Sequence, residues 1–468
     1  MAISGRVPLL LLIGVLPVIW WPVPLVVAGW AVLIAAVCAL DAALAVSPGQ
    51  VRIARDLPAS VRLTESASSR LTITNPTTRR ARLLVRDAWP PSAAPAGRRP
   101  RLVLPPGESL RQTTRLTPHR RGDLAAGTVT VRSFGPLGLA ARQRSLSVPG
   151  VLRVLPEFRS RAQLPYRLAR LRELDGQASV YVRGQGTEFD SLREYAVGDD
   201  VRSIDWRASA RAQKTMIRTW RPERDRHILI VLDTSRWAAG RIGATSEMKD
   251  ANTTSTGSID QLRLDAGIET CLLMAALGSA SGDRMSLLVA DRQVRLRLAG
   301  TGQQGSVLAR FANGLSLAEP VLAEADWALI AAQIDQLCSQ RSLVILVTGL
   351  DPALYAEGLG TVLPTLAHDH QVVIAHVTDP AEDALLTPPP SQGSPKNATK
   401  KSASSHASPQ PSLDRVYAAA AAARLQLTTA GLANRVSRLG VEIVTADPDH
   451  LAPAVCDAYL ALKAAGRL

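Results

Sequence analysis

The sequence predicts a mixed α/β protein: a doubly wound, mainly parallel sheet, preceded by a small β-sandwich and an N-terminal transmembrane helical hairpin. Three observations carry this expectation. From about residue 227 continuous apolar runs alternate with helical stretches. Residues 48–155 hold short alternating segments with no helical period, and Val7–Val46 carries a single charge, Asp41.

The apolar runs are Ile228–Leu232, Ser286–Ala290, Leu343–Val347, Val372–Val377 and Val441–Thr445. Between and after them lie helical stretches at 261–280, 325–340, 354–368, 414–438 and 449–465. Uninterrupted apolar strands are buried on both faces, which is the pattern of a parallel sheet covered by helices. Gln293–Leu298 alternates and reads as an antiparallel edge strand. Residues 240–260 and 386–413 lack the apolar side chains needed to pack and read as flexible insertions.

In the segment 48–156, alternation marks strands at Val61–Leu63, Arg70–Thr74, Ala81–Arg86, Thr128–Val131 and Leu152–Leu155. Several short strands at such spacing suggest a sandwich. This segment is also where the positive charge sits. Residues 47–170 contain 23 Arg, no Lys and 6 Asp or Glu, whereas 171–468 contain 30 basic and 33 acidic residues. The arginines alternate with apolar residues and are not clustered with aromatics, which favours an anionic membrane surface over nucleic acid.

At the N-terminus the apolar stretch is long enough for two bilayer crossings of ~20 residues each. Pro22 and Pro24 mark a turn after Trp20-Trp21, giving arms at about 7–21 and 25–46 with both ends on one side. Arg52, Arg55 and Arg62 then place the bulk of the chain in the cytoplasm by the positive-inside rule. The stretch is too long for the core of a cleaved signal. Four scattered cysteines, Cys38, Cys271, Cys338 and Cys456, exclude a disulfide framework and fit a reducing compartment.

Candidate chemistry is sparse. There is no Gly-Lys-Ser/Thr phosphate loop and no Gly-x-Ser-x-Gly elbow, and the seven histidines form no ligand set, so a hydrolase is the remotest reading. At the carboxyl end of the first strand stands Asp233-Thr234-Ser235-Arg236-Trp237, where an open α/β sheet places its ligands. It resembles the metal-ion-dependent adhesion site of von Willebrand factor A domains, whose pattern is Asp-x-Ser-x-Ser with a Thr and an Asp from later loops. Asp233 and Ser235 match. Trp237 replaces the second Ser, and Gly349 stands where the later Asp is expected, leaving Asp351 as a substitute two residues on. The resemblance implies a Mg²⁺ site made of Asp233, Ser235 and Asp351. The competing reading is that Asp233 and Ser235 cap the adjacent loop.

Residues 188–226 hold 9 basic and 8 acidic side chains among 39, mixed with Phe189, Tyr195, Trp206 and Trp220. Near-balanced charge with aromatics suggests an ordered ion-pair network in which Glu188, Asp199, Asp200 and Asp205 pair with Arg193, Arg202 and Arg207. It reads either as a partner-docking surface, to which Tyr195 and Trp206 contribute, or as a structural clasp. The run GTEFDSLREYAVGDDVRSIDWRASARAQKTMIRTWRPERDR (186–226) resembles the signature of the DUF58 family. His119-Arg120-Arg121-Gly122 with Phe134–Leu139, and the close Asp457–Lys463, resemble other parts of that family. The resemblance implies four segments: a membrane hairpin (1–47), a basic β domain (48–156), the signature segment (157–226) and a von Willebrand A-like domain (227–468). It further implies a non-enzymatic accessory protein at the cell membrane, acting with a MoxR-type AAA+ ATPase on a client protein. A divalent-metal-dependent adhesion module is the alternative.

Overall fold

The computed structural model describes all residues except 1, 22, 98–100, 182–187, 197–200, 222–225, 244–260, 300–303 and 387–412. The chain forms two compact units, Met1–Glu157 and Phe158–Leu468.

The first unit opens with β1 (Ala2–Ile3) and three helices: α1 (Arg6–Ile13), α2 (Val15–Trp20) and α3 (Pro24–Leu44). At 1.5 Å per residue, the 21 residues of α3 span roughly 31 Å, the thickness of a bilayer's hydrocarbon core. Pro24 starts it, where a missing N–H is harmless. Among the described residues only α3 is long and apolar enough to cross a membrane. The expected first arm is instead two helices of 8 and 6 residues, which leaves one helix of the expected hairpin long and apolar enough to cross. A contact from α3 sits at the break. The Leu10 carbonyl, which an unbroken helix would give to the Gly14 N–H, accepts from Trp30 Nε1 at 3.2 Å. Any side chain at Gly14 would collide with that indole.

Three sheets follow. The first runs β1-β10 (Ala140–Leu146)-β9 (Val129–Phe134)-β5 (Ala81–Asp87)-β6 (Arg101–Leu104). The second is β2 (Arg52–Asp56)-β4 (Ala67–Thr74)-β7 (Ser109–Leu116), and the third is β3 (Ser60–Arg62)-β11 (Val151–Leu155)-β8 (Gly122–Ala125). Alternate residues point inward: Leu71 and Ile73 from β4, Leu83 and Val85 from β5, Val129 and Val131 from β9 make one core. An ion pair is buried in this unit. Arg55 Nη2 donates to Asp87 Oδ1 at 2.8 Å, while Asp87 Oδ2 accepts from Ser69 Oγ and Trp89 Nε1 at 2.9 Å each. Every lone pair facing the interior thus has a donor, the condition under which such a pair is tolerated.

Helix α3 is locked to this unit by one carboxylate. Asp41, fully buried near the end of α3, accepts from Leu137 N at 2.8 Å, Leu139 N at 2.8 Å and Ala140 N at 3.0 Å. The β9–β10 turn wraps around the carboxylate, and a Cβ at Gly135 would strike it.

The second unit is a mixed α/β structure around a six-stranded sheet of order β18-β17-β14-β19-β20-β21. These strands are β14 (His227–Asp233), β17 (Arg284–Ala290), β18 (Val294–Leu298), β19 (Leu343–Val347), β20 (Gln371–Val377) and β21 (Glu442–Ala446). All neighbours are parallel except β17 and β18. Helix α6 (Arg263–Ala280) is buried along nearly its whole length and packs against β14, β17 and α13 (Pro448–Ala464). Gly267 permits the close approach, because a Cβ there would overlap Leu232 and Val347. The remaining helices are α7 (Gln304–Leu315), α8 (Trp327–Leu337), the short α9 (Pro352–Leu354), α10 (Gly360–Asp369), α11 (Pro380–Leu386) and α12 (Leu413–Ser437).

Ahead of the sheet, α4 (Leu164–Tyr181) packs on α6 and α13. Arg167, buried, reaches Asp457 Oδ2 at 2.9 Å, and Ser160 N donates to Glu269 Oε1 at 2.6 Å. Then β12 (Glu188–Glu194) and β13 (Met216–Arg221) pair antiparallel, with α5 (Trp206–Ala212) between them. Of the two polar insertions, 244–260 and 387–412 lie outside the described residues. The base of the first is closed by β15 (Arg241–Ile242) pairing with β16 (Gln261–Leu262).

Replacing Asp41 with Ala would leave two buried N–H groups, of Leu139 and Ala140, without an acceptor, at about 1–3 kcal/mol each. Asn keeps one acceptor oxygen and sets its NH₂ against the backbone donor on the other side, Leu137 N at the least. Both variants are expected to lower the melting temperature of the first unit in detergent and open 135–140 to proteolysis. Unchanged melting would show that the turn holds without the carboxylate.

Candidate functional site

In-register pairing builds the site. Asp233 ends β14 opposite Ala290 of β17, and Leu232 lies opposite Val347 of β19. The next residues of the neighbours, Asp291 and Thr348, therefore arrive at the same edge as Asp233. Sequence separation hides this, since Thr348 is 115 residues away.

Asp233 is buried and both of its oxygens are engaged. Oδ1 accepts from Ser235 N at 2.8 Å, and Oδ2 accepts from Thr348 Oγ1 at 2.6 Å. Burial raises its carboxyl above the usual range; the bonds from Thr348 and Ser235 oppose this without reversing it. The Ser235 hydroxyl is buried near the carboxylate but has no well-aligned hydrogen-bond partner. Thr234 Oγ1 turns the other way, to Asp291 Oδ2 at 3.1 Å, and Asp291 is held by Arg295 at 2.7 and 3.1 Å.

Trp237 roofs the site. It is 7% exposed, and its indole occupies the space that any side chain at Gly349 would need. The Arg263 guanidinium lies 5.8 Å from its ring centre and the His376 ring 6.3 Å away. Leu350 N donates to His376 Nδ1 at 3.1 Å, which requires that nitrogen to be unprotonated. Burial first, and then the Arg263 charge, pull the His376 pKa down to about 4.

A Mg²⁺ ion at Asp233 needs several convergent oxygens. Asp351, expected to complete the set, instead caps α9 by accepting from Leu354 N at 2.9 Å. Asp233 already serves two donors, and tryptophan and glycine stand at the other two positions. Among the described residues no group of three or more His, Cys, Asp or Glu could hold a metal. The residues present do not fit the ion. Thr348, Trp237, Arg263 and His376 were not singled out as a site from sequence, because their proximity depends on strand order.

The second candidate surface is only partly described. Asp199 and Asp200 lie outside the described residues, as does the side chain of Glu188, whose backbone belongs to β12. Asp205 does not pair with the Arg207 side chain. It caps α5, accepting from Arg207 N and Ala208 N at 3.0 Å, and takes Arg218 at 2.7 Å. The backbone bond from Ala208 first, and then Arg218, hold its carboxyl below the usual range. Arg193 donates to the Glu194 carbonyl, Arg202 is exposed, Tyr195 is half-buried and Trp206 is 72% exposed. The hydrogen bond from Tyr195 N to Thr215 O carries the β12–β13 pairing one residue beyond the strands.

The two buried titrating groups oppose one another in pH. His376 is neutral when folded down to about pH 4, whereas the unfolded chain binds a proton near pH 6.5. Its stabilisation is therefore lost as pH falls between those values, by about 3 kcal/mol. Denaturant titrations should show a smaller loss of stability over this window for His376→Gln than for the native protein. Asp233, being raised, favours the fold below the ordinary carboxylate pKa and disfavours it as pH rises. The melting temperature of Asp233→Asn relative to native should therefore increase from pH 4 to 7, and a flat difference would refute the buried-carboxylate reading.

Comparison with known proteins gives one family. The profile described as "Protein of unknown function DUF58" matches residues 191–394, from β12 through α11 and beyond. No curated protein matches. Among solved structures, the crystal structure of FixG-related protein from Vibrio parahaemolyticus is 10% identical. That likeness covers 22% of this chain and 96% of that one at a TM-score of 0.17, which supports no argument. The matched segment contains both the Asp233 edge and most of the Trp206 hairpin, and over that segment the chain matches the DUF58 family.

Proposed function

We propose that this DUF58 protein is a non-enzymatic, membrane-anchored interaction protein. Its second unit is a von Willebrand A-like, doubly wound domain with a degenerate metal site. It captures a MoxR-type AAA+ ATPase, and with it a client, on the cytoplasmic side of the cell membrane. The observation that carries this reading is Trp206. A tryptophan 72% exposed, on a two-turn helix whose start is fixed by Asp205 and Arg218, is a pre-ordered interface anchor. Aromatic side chains that desolvate fully on binding, beside arginines, carry most of the energy of such contacts. The closed state of the Asp233 edge, with its carboxylate serving as an acceptor inside the protein, turns attention to this surface.

Pull-down of the tagged protein from native membranes in mild detergent, with and without ATP and Mg²⁺, tests the reading. Trp206→Ala is expected to reduce recovery of the ATPase by on the order of tenfold or more, with an unchanged melting temperature. Equal recovery by the variant would remove Trp206 as the anchor, and no ATPase under any condition would overturn the proposed partnership.

A further inference from the structure

The outward face of the first unit's largest sheet carries arginines on several strands. Residues pointing away from its core are Arg82 and Arg86 on β5, Arg101 on β6 and Arg132 on β9, with Leu84, Val103 and Phe134 among them. They are cross-strand neighbours: Arg82 is opposite Phe134 and Val103, and Leu84 is opposite Arg132 and Arg101. No acidic residue occupies an outward position on β5, β6, β9 or β10. The one carboxylate in these strands, Asp87, points inward and is held by Arg55. Without carboxylates to pair them, the guanidinium groups are braced by neutral partners. Arg82 donates to the Pro136 carbonyl, Arg132 donates to Gln143 at 2.8 Å, and Arg101 lies 5.7 Å from the Phe134 ring centre.

The same sheet holds the anchor. Asp41 of α3 is bound by the turn between β9 and β10, and Ala2–Ile3 pairs with Ala140–Ala141. Arg82 and Phe134 therefore lie at the end of the sheet next to the foot of the helix. At ~3.4 Å per residue, Arg101 and Arg132 follow about 7 Å further on and Arg86 about 14 Å. The negative potential of an anionic leaflet decays over roughly 8 Å at physiological salt. We infer that this face is a docking surface for the anionic phospholipid head groups of the bilayer that α3 enters. The apolar residues between the arginines fit the interface, where long basic side chains extend their charge toward phosphate while their stems cover apolar surface. Charge complementarity and continuity with the anchor both favour lipid over a soluble acidic partner. The inference rests on α3 spanning the membrane and is independent of the ATPase.

The full chain is reconstituted into vesicles of phosphatidylcholine alone or mixed with phosphatidylglycerol. A dye is attached at Val103→Cys in a Cys38→Ala background, and energy transfer to head-group-labelled lipid is recorded. Transfer should rise in the anionic vesicles and fall with added salt. In the Arg82/Arg86/Arg101/Arg132→Gln variant the lipid-apposed population should fall on the order of tenfold. A dye at Thr113→Cys, on the exposed side of β7 in another sheet, should show little dependence on lipid charge. Transfer that ignores lipid charge, or that survives in a quadruple variant with an unchanged melting temperature, overturns the inference. So does preferential binding of RNA or an acidic protein over lipid. Flotation of the vesicles reports insertion separately, and failure to float removes the anchoring itself.

Discussion

Strand β14 is bonded on both sides at once, and the second unit depends on that constraint. With β17 on one flank and β19 on the other, each in parallel register, the residues leaving all three strands reach one edge together. The backbone of a strand so placed has every N–H and C=O paired within the sheet, so it can be wholly apolar. From His227 to Asp233 the burial is continuous after the first residue. A carboxylate at the end of such a strand is where desolvation is greatest, which is why Asp233 is raised and why it needs Thr348 and the Ser235 backbone as donors. Helix α6 then sits directly over the strand because Gly267 leaves room, and α13 and α4 pack on that helix.

The first unit solves a related problem at its anchor. A helix apolar enough for lipid has little to hold it to a polar domain. Asp41 supplies the hold by presenting two oxygens to three backbone donors of a single turn. The Phe134–Leu139 stretch, singled out in the sequence for a family resemblance, is that turn. Gly135 and Gly138 let it close, Gly138 at a φ of 70° that glycine adopts without strain. Buried charge elsewhere in the unit follows the same rule: Asp87 is kept inside by donors on every side.

The two candidate surfaces differ in what the fold does with polar groups. At the Asp233 edge the carboxylate oxygens are consumed internally, and the tryptophan that replaces a hydroxyl fills the remaining volume. On the β12–β13 hairpin the charges instead brace a short helix, and its aromatic residue is left in solvent. A buried carboxylate under a tryptophan is a stability element sensitive to pH, whereas an exposed, braced tryptophan is free to meet a partner.

Much of this was legible in the chain. The five parallel strands and the antiparallel edge strand fall within one or two residues of the apolar runs, because a strand buried on both faces must be continuously apolar. Helices α6, α8, α10, α12 and α13 fall on the expected helical stretches, whereas α4 and α7 were not expected. Strands β2, β7 and β10 were not legible, since RIARD, SLRQTTRL and AARQRSL carry arginines whose charges reach solvent while the backbone still completes a ladder. Nor was the break at Gly14, where Trp30 reaches across from another helix. The sequence by itself determined the α/β class, the apolar anchor, the basic β domain and the position of Asp233 at a strand end. These are properties of local periodicity and composition. Tertiary structure alone decided strand order, and with it that Thr348 meets Asp233, that Asp351 turns away to cap a helix, and that Asp41 faces a turn nearly a hundred residues later. Those contacts are set by register between distant strands, which no local pattern encodes.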